Sequence, residues 1–141
     1  MNILIVEDEV LLAMELESEV EGAGHLVVGT ATDSREAIEI IDATSPQFAF
    51  VDIQLLDGPT GIDVGRYLSA KAIPFVFVSG NLKRIPDDFA GALGAIEKPY
   101  TVNGLQNALQ FLQIIIDGGH GSQVAPPSLV LSPAARATVA A

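Results

Sequence analysis

The chain has no cysteine. Without thiols there can be no disulfide, no thiolate metal site and no cysteine nucleophile, and the composition suits a reducing compartment. Bases are scarce: seven Lys and Arg stand against 18 Asp and Glu, a net charge of −11. A protein that grips nucleic acid needs a clustered basic face to neutralise phosphates. These seven bases are scattered, so direct nucleic-acid binding is not expected. The excess of acid points instead to a divalent cation or a basic protein partner. No apolar run approaches the length of a membrane span. The start, Met1 to Glu9, has no basic region ahead of its short apolar run and meets acid at once, so it is not a signal peptide. The expected location is the cytoplasm, with no membrane association. What is present is 141 residues, 49% of them hydrophobic, enough for one domain with a real core and too few for two.

Strand and helix patterns alternate five times along the chain. Asn2 to Val6 (NILIV) is a buried strand by its branched apolar run. From Val10, apolar residues recur at helical spacing through Ala13, Leu16, Val20 and Ala23, and Gly22 and Gly24 end that helix. His25 to Thr30 is a second strand. Asp33 and Glu36 form a capping box for a helix whose apolar side is Ala37, Ile38, Ile40 and Ile41. Phe48 to Val51 is a third strand, followed by a turn around Asp57-Gly58-Pro59. Gly61 to Ala70 is helical, with Ile62, Val64, Tyr67 and Leu68 inward. Ile73 to Val78 is a fourth strand. Leu82 to Leu93 holds Pro86 and Gly91, so the fourth helix is expected to be short or irregular. Gly94 to Glu97 is a fifth strand, and a last helix runs to Ile116. This alternation predicts an α/β fold: a five-stranded parallel sheet with helices on both faces, in the flavodoxin-like order 2-1-3-4-5. Gly118, Gly119 and Gly121 then break the pattern. Residues 118–141 are rich in Ala, Pro and Ser and are expected to be a flexible tail, with Ser128 to Leu131 as its one apolar island.

The chemistry sits where the strands end. Strand one delivers Glu7 and Asp8, strand three Asp52, strand four Ser79 and strand five Lys98. The predicted order brings these to one edge of the sheet, where open α/β sheets bind ligands. Each signal alone has a plainer reading: a helix N-terminal charge, a turn residue, a solvated loop lysine. Together they form one pocket. Three carboxylates repel unless a cation lies between them, and their hard oxygens suit Mg²⁺, or Mn²⁺ in its place. A metal, an ammonium and a hydroxyl around a carboxylate are the equipment of phosphoryl transfer, with Asp52 as the nucleophile and an aspartyl phosphate as the product.

These motifs, ILIVEDE, FVDIQLLDGPTG, FVFVSGN and IEKPY, resemble the bacterial response-regulator receiver domain over Met1 to about Ile116. The resemblance implies a receiver domain over residues 1–117 in which Asp52 is phosphorylated by a histidine kinase or histidine phosphotransfer protein. It implies that Glu7, Asp8, Asp52 and the backbone carbonyl of Gln54 hold the metal, that Ser79 is the switch hydroxyl, and that Lys98 is its phosphate-pairing partner. Gln54 and Asn81 occupy the family's variable positions, which influence the lifetime of the phosphoryl group. Asp57 is read as structural.

Two departures bear on signalling. Many receivers carry an aromatic residue three positions before the lysine; here it is Ala95, so an aromatic relay cannot operate. The fourth strand, IPFVFVSGN, is similar to a subgroup of single-domain receivers with a PFxF pattern and a reorganised signalling face. With no effector domain after the last helix, the chain is expected to be a stand-alone receiver. It would signal by phosphorylation-dependent protein binding, through the face made by helix four, strand five and the last helix. Phe111, Ile114 and Ile115 make that last helix apolar on more than one side, which suits either a wide buried stripe or a partner face, including a homodimer. Among alternatives, a haloacid-dehalogenase-like phosphatase needs a second Asp at Gln54, and a nucleotide binder needs a glycine- or Ser/Thr-rich loop where Glu7-Asp8-Glu9 stand. Neither pattern is met, so neither a phosphatase nor an enzyme with a catalytic output domain is expected. The remaining alternative is a degenerate receiver used as a phosphorylation-independent interaction module.

Overall fold

The structure is a computed structural model and describes residues 1–119 and 124–140. Five strands form in the predicted positions: β1 Asn2–Val6, β2 Leu26–Ala31, β3 Phe48–Val51, β4 Phe75–Ser79 and β5 Gly94–Glu97. They are joined by α1 Val10–Gly22, α2 Ser34–Thr44 and α3 Gly61–Ala70, and α4 Val102–Ile116 follows β5. These five strands are parallel and take the order β2-β1-β3-β4-β5. The first three crossovers are helices, the usual connection between parallel strands.

Alternation along the strands divides the core into two layers. Ile3, Ile5, Phe48, Phe50, Val76, Val78 and Ile96 pack against α1 and α4. Leu4, Val6, Ala49, Val51, Phe75 and Phe77 pack against α2 and α3. Both faces of β3 and β4 are therefore buried, which is why those strands read as continuous apolar runs. The helix entry at Asp33 is as the sequence predicts: its carboxylate accepts from the Glu36 amide at 2.8 Å, and the Glu36 side chain accepts from Thr32 N at 2.8 Å.

Between β4 and β5 there is no α-helix, only two 3₁₀ turns, Leu82–Arg84 and Phe89–Gly91. Pro86 cannot donate to a helical ladder. Phe89 and Ala90 take positive φ of 54° and 51°, which ends any continuation. Ala90, Ala92, Ile85 and Phe89 still cover the sheet here.

The C-terminal segment corrects two expectations. The sheet has six strands, not five: β6, Val130–Leu131, pairs antiparallel with β5, Leu131 opposite Gly94 and Val130 opposite Ala95. Pro133–Ala140 then forms α5. Within the expected tail, Val130–Leu131 and Pro133–Ala140 are thus a strand and a helix rather than flexible chain; Gly121 lies outside the described residues. Gly118 does end α4, at a φ of +92°. The physical reason for the miss is scale. A two-residue strand shows no periodicity. Yet Leu129 and Leu131 alternate inward around Val130, and Leu129, Leu131, Ala135 and Val139 join the α1–α4 core. Ser132 starts the helix, its hydroxyl accepting from Ala135 N at 3.1 Å, and Pro133 occupies the first helical position, where its missing N–H costs nothing. Composition hid a cap, a strand and an apolar stripe.

The expected output face changes accordingly. It has no helix over Leu82 to Leu93, and the edge of β5 is covered by β6. Of the surplus apolar residues of α4, Phe111 is buried and Ile115 packs on the core that also holds Leu129 and Ala135, whereas Ile114 is half-buried and outside that core. No helix among the described residues is long and apolar enough to cross a membrane.

Candidate functional site

Strand register builds the site. Val6 lies opposite Val51 in adjacent parallel strands, so the next residue on each, Glu7 and Asp52, emerges beside the other. Ser79 lies opposite Glu97, which places Lys98 one step beyond the end of β5. The Lys98 amide donates to Ser79 O at 2.9 Å, the Asp52 amide to Val6 O at 2.8 Å and the Glu7 amide to Ala31 O at 2.9 Å. The four side chains sit on backbone already fixed by the sheet.

Lys98 reaches back over this edge. Its Nζ donates to Glu7 Oε1 at 2.6 Å and to Asp52 Oδ2 at 3.0 Å. The other Asp52 oxygen, Oδ1, accepts from the Ile53 amide at 2.8 Å. Glu7 and Asp52 are buried, with 5% and 9% of their surfaces exposed. One ammonium cannot neutralise two desolvated carboxylates. Burial pushes the Glu7 carboxyl up to about 7; its hydrogen bond to Lys98 works against the rise and the neighbouring Asp52 adds to it. Burial alone would lower Lys98, but its bonds to Glu7 and Asp52 outweigh that and hold it above the ordinary lysine value.

Carboxylate oxygens of Glu7, Asp8 and Asp52 all lie within 4.8 Å of one another. Three hard oxygens at this separation, held at net negative charge, fit a small divalent cation. Asp8 is half-buried at the rim.

The remaining predicted residues are near but differently engaged. The Ser79 hydroxyl is buried and accepts from Asn81 N at 3.1 Å, with no bond to Asp52 or Lys98. The Asn81 side chain caps the first 3₁₀ turn, accepting from Lys83 N at 3.1 Å. Gln54 is exposed, and its Oε1 accepts from Arg84 at 3.3 Å. Asp57 lies outside the cluster. It accepts from the Ser34 amide, the Ser34 hydroxyl and the Thr60 hydroxyl, joining the turn after β3 to the start of α2.

Two contributors were missed by sequence reasoning. Arg84 sits in a segment with no readable periodicity, and nothing marked it. Gly61 was placed only as a helix start. A Cβ there would lie 1.9 Å from the Asp52 carbonyl oxygen, so the backbone carrying Asp52 tolerates only glycine at the start of α3. The signal was present in the turn-glycine sequence Gly58-Pro59-Thr60-Gly61, whose meaning depends on what the backbone approaches.

Comparison with known proteins agrees with this geometry. The response regulator receiver domain matches residues 3–110. The phyllosphere-induced regulator PhyR of Methylorubrum extorquens is 43% identical over 85 residues, covering 59% of this chain and 32% of that protein. The transcriptional regulatory protein PdtaR of Mycobacterium tuberculosis is 30% identical over 115 residues, covering 77% of this chain and 55% of that protein. The chain therefore spans about a third to about half the length of these curated relatives. The solution structure of the Erythrobacter litoralis PhyR receiver domain superposes with a TM-score of 0.72 at 28% identity, over 87% of this chain and 95% of that one. Receiver domains of two-component systems generally bind Mg²⁺ at an acidic pocket, and Glu7, Asp8 and Asp52 form an acidic cluster in this chain. The chain belongs to the response regulator receiver domain family.

Proposed function

We propose that this chain is a phosphorylation switch in which Asp52 accepts a phosphoryl group from a phosphohistidine of a kinase or phosphotransfer protein. The observation that carries this reading is the pair of hydrogen bonds that Lys98 donates to Glu7 and Asp52 beside a three-carboxylate cluster. Asp52 Oδ2 forms the new O–P bond, the P–N bond of the donor breaks, and the imidazole leaves with the electron pair and takes up a proton. Glu7, Asp8, Asp52 and the Gln54 carbonyl would hold Mg²⁺, which when bound offsets charge on the phosphoryl oxygens. Lys98 keeps one cation at the acceptor throughout. Ser79 reaches the phosphoryl group only by giving up its bond to Asn81. Gln54 and Asn81 flank the water that would hydrolyse the acyl phosphate, and both amides are engaged with the first 3₁₀ turn in the present structure.

The donor's docking surface is supported by exposed apolar residues on α1 beside the site, Val10, Leu11 and Met14, at 65%, 75% and 60% exposure. Such a stripe suits a helical partner. The output is a protein–protein interaction that phosphorylation shifts.

The test is incubation with Mg²⁺ and acetyl phosphate, followed by intact-mass measurement of an acid-stable, base-labile adduct. Wild type acquires one phosphoryl group and Asp52→Asn acquires none. Labelling that persists in Asp52→Asn would move the acceptor elsewhere. No labelling of wild type with any donor would favour the interaction-module reading.

A further inference from the structure

The edge of β5 is filled by the chain itself, and what fills it describes what the surface binds. Val130 and Leu131 run antiparallel to Gly94 and Ala95. The Ser132 amide continues the ladder to Leu93 O at 2.9 Å. Leu129 and Leu131 point into the core, 5% and 7% exposed, while Val130 faces out at 40%. The pairing is close: a Cβ on Gly94 would meet Val130 O at 2.4 Å. Ser128 fastens the segment to the start of α4, its hydroxyl donating to Gly104 O at 2.7 Å.

The fit is real, but its margin is small. Two strand residues and four buried apolar side chains, two of them Ala and Val, offset the ordering of about a dozen residues from Ser128 to Val139. A hollow of about 360 Å³ lined by Pro99, Tyr100, Thr101, Pro127 and Ser128 separates the segment from the loop after Lys98. The segment and the loop that connects the acidic site to α4 thus form opposite walls of one hollow.

We infer that the edge of β5 with the adjoining flank of α4 is a docking surface for an extended protein segment bearing two apolar residues two positions apart. The chain's own residues 128–139 occupy it in cis and must be displaced. Backbone pairing to β5 supplies affinity and the two inward pockets supply selectivity, as in strand addition to a sheet edge. A cis occupant lowers the apparent affinity of any outside strand by the fraction of molecules in which it is released. The inference needs no phosphoryl group, so it stands or falls separately from the acceptor role of Asp52.

The test uses the full chain and a fluorescent peptide with the sequence Pro127 to Val139. In the double variant Leu129→Asp, Leu131→Asp the cis segment loses its anchors. The peptide should then bind at least about tenfold more tightly than to wild type. The variant must still unfold cooperatively. Equal peptide affinity for both proteins, with the variant folded, overturns the inference. So does concentration-dependent dimerisation of the variant in place of peptide binding, which would assign the surface to a second copy. If the variant does not fold, hydrogen exchange on wild type decides. Amides from Leu129 to Ser132 should exchange at least about tenfold faster than those of β1 and β3, through an opening that leaves the sheet intact. Equal protection would make the segment an inseparable part of the fold and refute displacement.

Discussion

Lys98 Nζ lies 2.6 Å from Glu7 Oε1, closer than its 3.0 Å to Asp52. The lysine is held by the carboxylate that is not the proposed acceptor. This arrangement leaves Asp52 Oδ2 sharing its cation rather than owning it. Replacing Lys98 with Met keeps most of the stem and removes the charge, leaving two buried carboxylates facing each other. Stability at pH 8 should fall by roughly 1–3 kcal/mol, less than for a fully buried pair because Lys98 keeps some access to water. The loss should shrink toward pH 5, where Glu7 takes up a proton. Urea titrations at the two pH values measure both effects.

Glu7 provides a pH signature. Its folded pKa, pushed up to about 7, lies above the ordinary value of 4.5. Below about 4.5 both folded and unfolded chains carry the proton. Between about 4.5 and about 7 only the folded chain keeps it, so this group's contribution to stability declines as pH rises through that window and is fully lost above about 7. Divalent-cation binding runs the other way, because a metal competes with the proton. Mg²⁺ affinity should rise roughly five- to tenfold from pH 6 to pH 8. Calorimetry in buffers of different ionisation enthalpy should show proton release near pH 7. Glu7→Gln should flatten the slope; an unchanged slope would place the titrating group elsewhere.

Gly61 and Gly80 make a matched pair. A Cβ at Gly61 would fall 1.9 Å from the Asp52 carbonyl oxygen, whereas at Gly80 nothing lies within 4 Å. Gly61→Ala should cost at least about 2 kcal/mol by displacing the Asp52 backbone or the start of α3. Gly80→Ala should be close to neutral. Chemical denaturation of the two variants side by side tests this, and acetyl-phosphate labelling shows whether the displaced Asp52 still reacts.

Asp57 and Asp52 should separate structure from chemistry. The bonds from the Ser34 and Thr60 hydroxyls hold the Asp57 carboxyl below the usual range. Asp57→Ala should lower the melting temperature, the more so above that depressed pKa where the carboxylate is charged, and should leave labelling by acetyl phosphate intact. Asp52→Asn should abolish labelling. Loss of labelling in a well-folded Asp57→Ala would mean that Asp57 takes part in the chemistry.

The five-unit framework was legible because each buried strand is an apolar run ending in a polar group, and strand order then converts separate positions into one edge. Glu7, Asp8, Asp52 and Lys98 were legible as a constellation for that reason. Their pairing was not: that Lys98 bonds Glu7 as well as Asp52 depends on side-chain reach. Ser79 was visible as a hydroxyl at a strand end, but its bond to Asn81 follows from the turn after β4, which no spacing rule anticipates. Pro86 and Gly91 correctly signalled that no regular helix follows β4. They could not signal that Arg84 would swing to Gln54. The C-terminal segment failed on composition: Ser132-Pro133 is a helix start in hindsight, yet in a stretch of Ala, Pro and Ser it looked like solvated chain.

The antiparallel sixth strand has one more consequence, for behaviour at high concentration. An uncovered β5 would present the open hydrogen-bonding groups of an almost wholly buried strand, a template for pairing between molecules. Two residues of β6 occupy that template, and a strand so short offers little ladder for the next molecule to extend. The wild-type chain, with β6 in place, should therefore stay free of concentration-dependent association, which light scattering across a concentration series checks.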